Sequence, residues 1–189
     1  NIPELTIITP AALQTEAERV AQLHREEGLT VAVIEQEKIF NEFSSGTPDA
    51  SAYRRLMKMF YDRAEGNENV RPRYLLLFGD GSYNNRKSME KLHSPECNML
   101  LTYQSKTSID ERESFVIEDY FGFLENNSGE EIKVDKVCLG IGRFPISSIK
   151  NARLVVDKLY RYVHDKDFSS WKNNICIACL LYTSPSPRD

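Results

Sequence analysis

The chain has 189 residues, 41% of them hydrophobic, and a formal net charge of −4. This composition is typical of a globular protein with one core, and the acidic balance argues against nucleic acid or an anionic membrane as a partner. No apolar run reaches the roughly 20 residues that span a bilayer. Because the chain starts at Asn1 with neither an initiator Met nor a signal-peptide pattern, we expect an internal piece of a longer protein.

The first residues predict a strand–helix–strand unit with short connections. The β-branched run 4–8 predicts a strand, and Thr9-Pro10 predicts the start of a helix, with Thr9 as its cap. Gly28 predicts the end of that helix, and 30–34 is the next strand. The apolar face of the helix is predicted from residues at helical spacing, namely Leu13, Ala17, Val20, Ala21 and His24.

A second helix and an apolar strand follow. Residues 41–47 are polar and turn-rich, and Thr47-Pro48-Asp49 repeats the signal of a cap followed by proline. The helix is predicted to end at Gly66-Asn67, and 74–78 is an apolar run without alternation, as in a strand buried on both faces. The inward face of the helix is predicted from Tyr53, Leu56, Met57, Phe60 and Ala64.

The second half continues the alternation. Runs 99–103 and 136–141 predict strands, the latter ending in Gly140-Ile141-Gly142-Arg143. Ser147 or Ser148 can cap a last helix, and 175–178 predicts a final strand. Strands alternating with helices predict an α/β fold, a three-layer sandwich with a mostly parallel sheet. The last helix is predicted to turn Ile149, Ala152, Val156, Leu159 and Val163 inward.

The final stretch, Cys179 to Asp189, fits nothing that precedes it. Back-translated, it can be written in one frame as a string that resembles the adaptor of a transposase-based sequencing library. We therefore expect the native sequence to end near Ala178 and residues 179–189 to be adaptor read-through. The alternative is a disordered Ser/Pro tail.

The turn after the strand at 74–78 is the first candidate site. Asp80, Ser82 and Asn84 alternate like the start of a calcium loop, but Asn85 stands where that loop needs Gly and Lys91 where it needs Glu. The turn also lacks the Lys followed by Ser or Thr of a phosphate loop. We favour a structural turn in which an Asp binds nearby N–H groups, and keep cation or substrate contact as the alternative.

Adjacent carboxylates at Glu118-Asp119 are the second candidate site. They lie among aromatic residues and could bind a divalent cation, whereas the favoured alternative is a solvated loop with one capping Asp.

Cysteine and histidine offer no catalytic pair. His93 and Cys97 are close in sequence, but Pro95 denies them a helical i,i+4 geometry, so we do not assign them as a dyad. Cys138 and Cys176 lie in predicted apolar strands and are expected to be small buried residues. No nucleophile, base and orienting group can be named, and the cysteine spacing predicts neither a disulfide framework nor a metal site.

Several ungapped motifs carry a family resemblance. They are 41–50, 53–55, 74–83, 101–105, 118–122 and 140–145. Together they resemble gingipain-type cysteine peptidases, and among these the sortases of the type IX secretion system. The resemblance covers roughly residues 5 to 178, and a Gly-Arg-Phe like that at Gly142 to Phe144 is its most family-wide element.

The resemblance implies a caspase-like α/β fold and a Cys–His dyad. In the family the His lies in a Gly-His-Gly segment and the Cys follows a later strand, both downstream of the strand expected at 175–178. Residues 1–178 would therefore be the N-terminal portion of a peptidase domain without activity of its own. No cofactor is required, but some gingipains bind calcium in this region, which makes Asp80 and Asp119 candidates for a structural calcium.

The resemblance also implies a reaction and a location. Such enzymes remove C-terminal sorting signals from secreted cargo through a thioester, which a lipopolysaccharide amine then resolves. The expected partners are the C-terminal domains of secreted cargo proteins and other type IX secretion components, with no nucleic acid. The expected location is the cell surface or outer membrane of a Gram-negative bacterium.

Two other classes of function stay open from the residues alone. One is a noncatalytic α/β module that binds a secretion partner, which predicts the same fold with the dyad positions replaced. The other is a small phosphate- or nucleotide-binding α/β protein, which the absence of heat in a nucleotide titration would exclude.

Overall fold

The structure is a computed structural model that describes residues 1–85, 99–105, 107, 109–110, 112–129, 134–165, 169 and 174–176. The helices are α1 (Gln14–Glu26), α2 (Gln36–Phe43), α3 (Ser51–Arg63) and α4 (Ile149–His164). The strands are β1 (Leu5–Thr9), β2 (Val31–Glu35), β3 (Tyr74–Phe78), β4 (Asp80–Gly81), β5 (Met99–Leu100) and β6 (Gly140–Phe144). Short 3₁₀ turns occupy Ala11–Leu13, Glu68–Val70 and Asp119–Gly122.

The main sheet is parallel and has the order β2-β1-β3-β6. β1 lies inside it, with Ile7 opposite Val33 on one side and Leu76 on the other. Leu77 of β3 lies opposite Arg143 of β6. A separate parallel pair, β4 and β5, lies where the chain leaves β3. The carboxyl ends of β3 and β6 and this small ladder are therefore close together.

Helices cover both faces of the sheet, because alternate strand residues point to opposite sides. Ile7 and Phe78 are fully buried with residues of α1 and α4, whereas Ile8 and Leu77 are fully buried with residues of α2 and α3. Complete burial of one such side chain stabilises the fold by about 1.5–3 kcal/mol. The predicted three-layer α/β sandwich is confirmed. Within the described ranges no helix is both long and apolar enough to cross a membrane.

The first strand–helix–strand unit is confirmed, but the predicted cap is wrong. Thr9 ends β1, and its hydroxyl donates to the Pro10 carbonyl instead of accepting from a helix N–H. A 3₁₀ turn separates Pro10 from α1. Gly28 ends the helix as predicted, with a φ of +97° that side chains rarely adopt.

The segment before α3 was only partly predicted. Residues 36–43 form α2, although 41–47 was expected to be a turn. Its fully buried core residues, Ile39 and Phe40, lie before the polar stretch, and Phe43 within that stretch packs against the same core while partly buried. The N–H of Ser51 at the start of α3 is bound by the Asp49 carboxylate at 2.8 Å, so Thr47 is not the cap. The predicted apolar face of α3 is confirmed.

Strand predictions in the second half were shifted or shortened. Strand structure begins at Gly140 and not at Lys136, so the Gly-Ile-Gly-Arg-Phe run is the strand itself. β5 has two residues of the five predicted, and it pairs with β4 outside the main sheet. Residues 174–176 form no strand, and Ile175 is exposed. Residues 177 and 178 lie outside the described residues.

The last helix is capped by Ser148, whose hydroxyl accepts from the Asn151 N–H at 3.2 Å. Ala152 and Val156 are fully buried as predicted. Ile149 and Val163, predicted to point inward, are exposed at the two ends of the helix.

The cysteines differ from their prediction as buried strand residues. Cys138 is half-buried and precedes β6, and Cys176 is exposed. Neither forms a disulfide.

Candidate functional site at the carboxyl edge of the sheet

Arg143 occupies the penultimate position of β6 and reaches across the carboxyl end of β3. One of its terminal nitrogens donates to the carbonyl oxygens of Gly79 (3.1 Å) and Asp80 (3.2 Å). The other donates to the Leu101 carbonyl at 3.3 Å. Three backbone carbonyls from two loops therefore converge on one guanidinium.

The same guanidinium forms a two-pronged ion pair with Glu118. Its Nε and terminal nitrogen donate to the two carboxylate oxygens at 3.0 and 3.1 Å. Only 12% of the Arg143 side chain and 28% of the Glu118 side chain are exposed. Burial raises the pKa of the Glu118 carboxyl, even though the charge of Arg143 and its hydrogen bonds act to lower it.

The turn after β3 packs directly on this guanidinium. A Cβ on Gly81 would lie 3.2 Å from Cζ of Arg143 and 2.8 Å from Cγ2 of Thr102, so the position has no room for a side chain. The Asp80 carboxylate accepts from the Gly81 N–H at 2.8 Å. This is the structural-turn role favoured from the sequence for Asp80.

The chain after β5 is held by side chains of the same turn. The Asn85 amide donates to the Thr102 carbonyl at 2.7 Å and accepts from its N–H at 3.2 Å, as a paired strand would. The Thr102 hydroxyl donates to the Ser82 carbonyl at 2.7 Å. These bonds extend the short β4–β5 ladder by side-chain contacts.

A buried polar pair, Tyr53 and Gln36, binds the backbone of β5 and of the residue after it. The Tyr53 hydroxyl donates to Oε1 of Gln36 at 2.8 Å and accepts from the Leu101 N–H at 3.3 Å. The Gln36 amide donates to the Met99 carbonyl at 3.1 Å. Helices α2 and α3 thereby hold the backbone from Met99 to Leu101, and Arg143 binds the Leu101 carbonyl of the same segment.

Aromatic rings flank Glu118 on its C-terminal side. The Tyr120 ring stacks on Tyr103 with centroids 3.4 Å apart, and the Arg54 guanidinium lies 5.4 Å from its centroid. Burial raises the pKa of the Tyr120 hydroxyl. Because Arg54 also donates to the Phe123 carbonyl at 2.7 Å, the segment after Glu118 is fixed to α3.

Calcium binding by Asp80 and Asp119 stays a prediction. Asp119 begins a 3₁₀ turn, next to Glu118 and its bonds to Arg143. In the described part of the chain, no group of three or more His, Cys, Asp or Glu residues could hold a metal ion. Among the residues that the structure describes, neither Asp80 nor Asp119 therefore belongs to a group of three such ligands.

The described histidines lie away from cysteine. His24 contacts the Glu27 carboxylate at 2.9 Å, and His164 contacts the Tyr160 carbonyl at 2.9 Å. His93 and Cys97 lie outside the described residues. The expectation that the dyad is encoded elsewhere stays a prediction.

Sequence reasoning missed Arg143 as the centre of this site. The signal available was a charged residue within a strand whose same-face neighbours, Ile141 and Leu77, are apolar.

A separate groove of about 650 Å³ lies at the opposite edge, where β1, β3 and β6 begin. It has an apolar floor that includes Val20 and Phe144, and it shares no polar side chain with the Arg143 site.

Comparisons with known proteins agree with this architecture. The profile of peptidase family C25 matches residues 1–179. The crystal structure of dimeric latent PorU from Porphyromonas gingivalis is 42% identical with a TM-score of 0.79, over 94% of this chain and 17% of that chain. A structure described as a protease is 11% identical with a TM-score of 0.58, over 84% of this chain and 27% of that chain, and shows likeness of fold alone. No curated protein sequence matches the chain.

Proposed function

Since this chain belongs to peptidase family C25, we propose that it is the N-terminal scaffold of a cysteine endopeptidase and transpeptidase that removes C-terminal sorting signals from type IX secretion cargo. The observation that carries the proposal is the 42% identity to PorU over 94% of this chain. The chain spans about one sixth of the length of that protein, and the activity of the complete protein is part of the proposal.

In the proposed reaction, a Cys thiolate encoded after residue 178 attacks the carbonyl of the scissile peptide bond. A thioester forms as the C–N bond breaks, and the dyad His gives its proton to the leaving amine. An amine of lipopolysaccharide then attacks the thioester, which joins the cargo to the lipid and releases the thiol. The described residues contribute the sheet and the carboxyl-edge loops that support such a site.

The direct test uses the complete gene product. Sequencing the gene past residue 178 should reveal a Gly-His-Gly segment and then a Cys after an apolar strand. The purified protein should cleave a reporter fused to a cargo C-terminal domain, and alkylation of thiols should abolish cleavage. A stop codon or unrelated sequence there would refute the proposal. Binding of the cargo domain without cleavage would instead support a noncatalytic module.

The fragment offers a complementary test. Purified residues 1–178 should not hydrolyse the same reporter, because the proposed dyad lies outside them. Hydrolysis that a thiol blocker abolishes would contradict this assignment.

Calcium binding and surface location are further parts of the proposal. If Asp80 and Asp119 bind a structural calcium, calcium should raise the unfolding temperature, by an amount equivalent to about 2.7 kcal/mol at 100 times the Kd. Asp80→Asn and Asp119→Asn should reduce the shift. The proposed location predicts that antibody against the complete protein labels intact cells.

A further inference from the structure

Arg143 uses its whole hydrogen-bonding capacity at one place. A guanidinium has five N–H donors in a rigid fork. Here five hydrogen bonds reach three carbonyls and both oxygens of the Glu118 carboxylate. We propose that Arg143 is a positioning residue of the peptidase. It fixes the backbone of Gly79, Asp80 and Leu101, which forms one wall of the substrate-binding site at the carboxyl edge, without contacting the reacting atoms.

Arg143 is not explained by the alternative role of a residue that only continues strand β6. The neighbouring positions on the same face, Ile141 of β6 and Leu77 of β3, are apolar, and an apolar residue at 143 would continue this face. Placing a guanidinium there has a desolvation cost that only well-placed partners offset. The partners come from the turn after β3, the stretch after β5 and the start of the 3₁₀ turn. The β4–β5 ladder joins the first two of these segments, and Arg143 connects both of them to Glu118 and to β6.

The joined segments lie where a ligand is expected. In open parallel α/β sheets, ligands bind beyond the carboxyl ends of the strands. The carbonyls of Gly79 and Asp80 follow the carboxyl end of β3 directly. Because Arg143 donates to both carbonyls at 3.1 and 3.2 Å, the turn cannot shift without breaking these bonds or moving the guanidinium. The position of the wall therefore depends on Arg143.

A wall of this kind should affect substrate binding more than the chemical step. All five N–H groups of Arg143 are used by backbone carbonyls and by Glu118, so the guanidinium has no donor left for the reacting atoms. Since the loss of binding that is equal in the ground state and the transition state raises KM and leaves kcat unchanged, we expect about a tenfold increase in KM for Arg143→Lys. Lys has three donors and no planar fork, so it cannot replace all five bonds.

The experiment rests on the proposed function and uses the complete gene product. Cleavage of the cargo C-terminal domain is measured for the wild type and for Arg143→Lys, Glu118→Gln and Gly81→Ala. A thiol-reactive probe titrates active sites, so kcat refers to folded enzyme. The matched control is Arg19→Lys, which changes an ion-paired arginine in the α1–α4 layer on the other face of the sheet.

The expected result is a higher KM in the three site variants, with kcat per titrated site within about twofold of wild type and no change in Arg19→Lys. Unchanged KM, or a change confined to kcat, would overturn the positioning role while leaving the peptidase proposal intact. A wild-type protein without thiol-dependent cleavage would overturn both. If Arg143→Lys yields no titratable site, Glu118→Gln and Gly81→Ala decide the question, because both keep the guanidinium.

Discussion

Replacing Tyr53 by Phe should reveal how strongly the buried polar pair under β5 holds the fold. The ring of Tyr53 is completely buried and stacks on Phe40 at 5.7 Å. The substitution keeps the ring and removes only the hydroxyl, which donates to Gln36 and accepts from the Leu101 N–H. No cavity larger than one oxygen atom results, so the effect is one of hydrogen bonding.

The size of the effect follows from the two partners left behind. Gln36 is 2% exposed, and the Leu101 backbone is equally sheltered. A buried polar group without a partner costs about 1–3 kcal/mol. Two such groups, partly relaxed by local adjustment, should lower the free energy of unfolding by about 3 kcal/mol.

Urea unfolding followed by circular dichroism measures this directly. With a slope of about 2 kcal/mol per M, the midpoint should fall by about 1.5 M. Tyr83→Phe is the matched control: Tyr83 is 79% exposed, so its change should stay within about 0.5 kcal/mol. In a double-mutant cycle with Gln36→Met, the pair should couple by at least about 1 kcal/mol. Equal midpoints for Tyr53→Phe and Tyr83→Phe, or strict additivity in the cycle, would refute the reasoning.

Three further changes test other parts of the fold. Leu77→Ala removes a fully buried side chain and should cost about 2–5 kcal/mol in urea unfolding; a loss below about 1 kcal/mol would contradict the packing. Gly28→Ala should destabilise by about 1–2 kcal/mol because of its φ of +97°, whereas Gly142→Ala, with open space and no positive φ, should not destabilise the protein; the reverse order would contradict the backbone geometry. Hydrogen bonds from Thr30 lower the pKa of Glu4, so the stability that its carboxylate adds is present above pH 4.5 and is lost as the pH falls through the lowered pKa. The stability difference between wild type and Glu4→Gln should therefore shrink with acidification, and a difference that grows would reverse the assigned sign.

The parts predicted correctly from the sequence are those that local patterns determine. The apolar face of α1 and the end of this helix at Gly28 depend on residues within a few turns of one another. Residues 136–141 were predicted as a strand because Val137, Cys138 and Leu139 are apolar, yet strand structure begins four residues after the predicted start, at Gly140. Two glycines and an arginine have little strand propensity of their own, so β6 exists because it pairs with β3.

The site itself had an even weaker local signal. Glu118 and Asp80 were noticed because carboxylates stand out beside glycine and aromatic residues. Their connection through Arg143 joins the Glu118 carboxylate, 25 residues away in sequence, to the Asp80 carbonyl, 63 residues away. Such a contact emerges only when the order of strands in the sheet is known, which periodicity does not supply.

The strand order also has a consequence for the time course of synthesis. β1, β2 and β3 are complete once residue 78 has been made, and they can pair at that stage. β6 and its arginine arrive 65 residues later, which corresponds to roughly 3 to 13 s of translation at 5–20 residues per second. During that interval the outer edge of β3 and the carbonyls of Gly79 and Asp80 lack the partners they have in the native fold. The nascent chain therefore passes through a stage that a chaperone or a premature strand pairing can intercept.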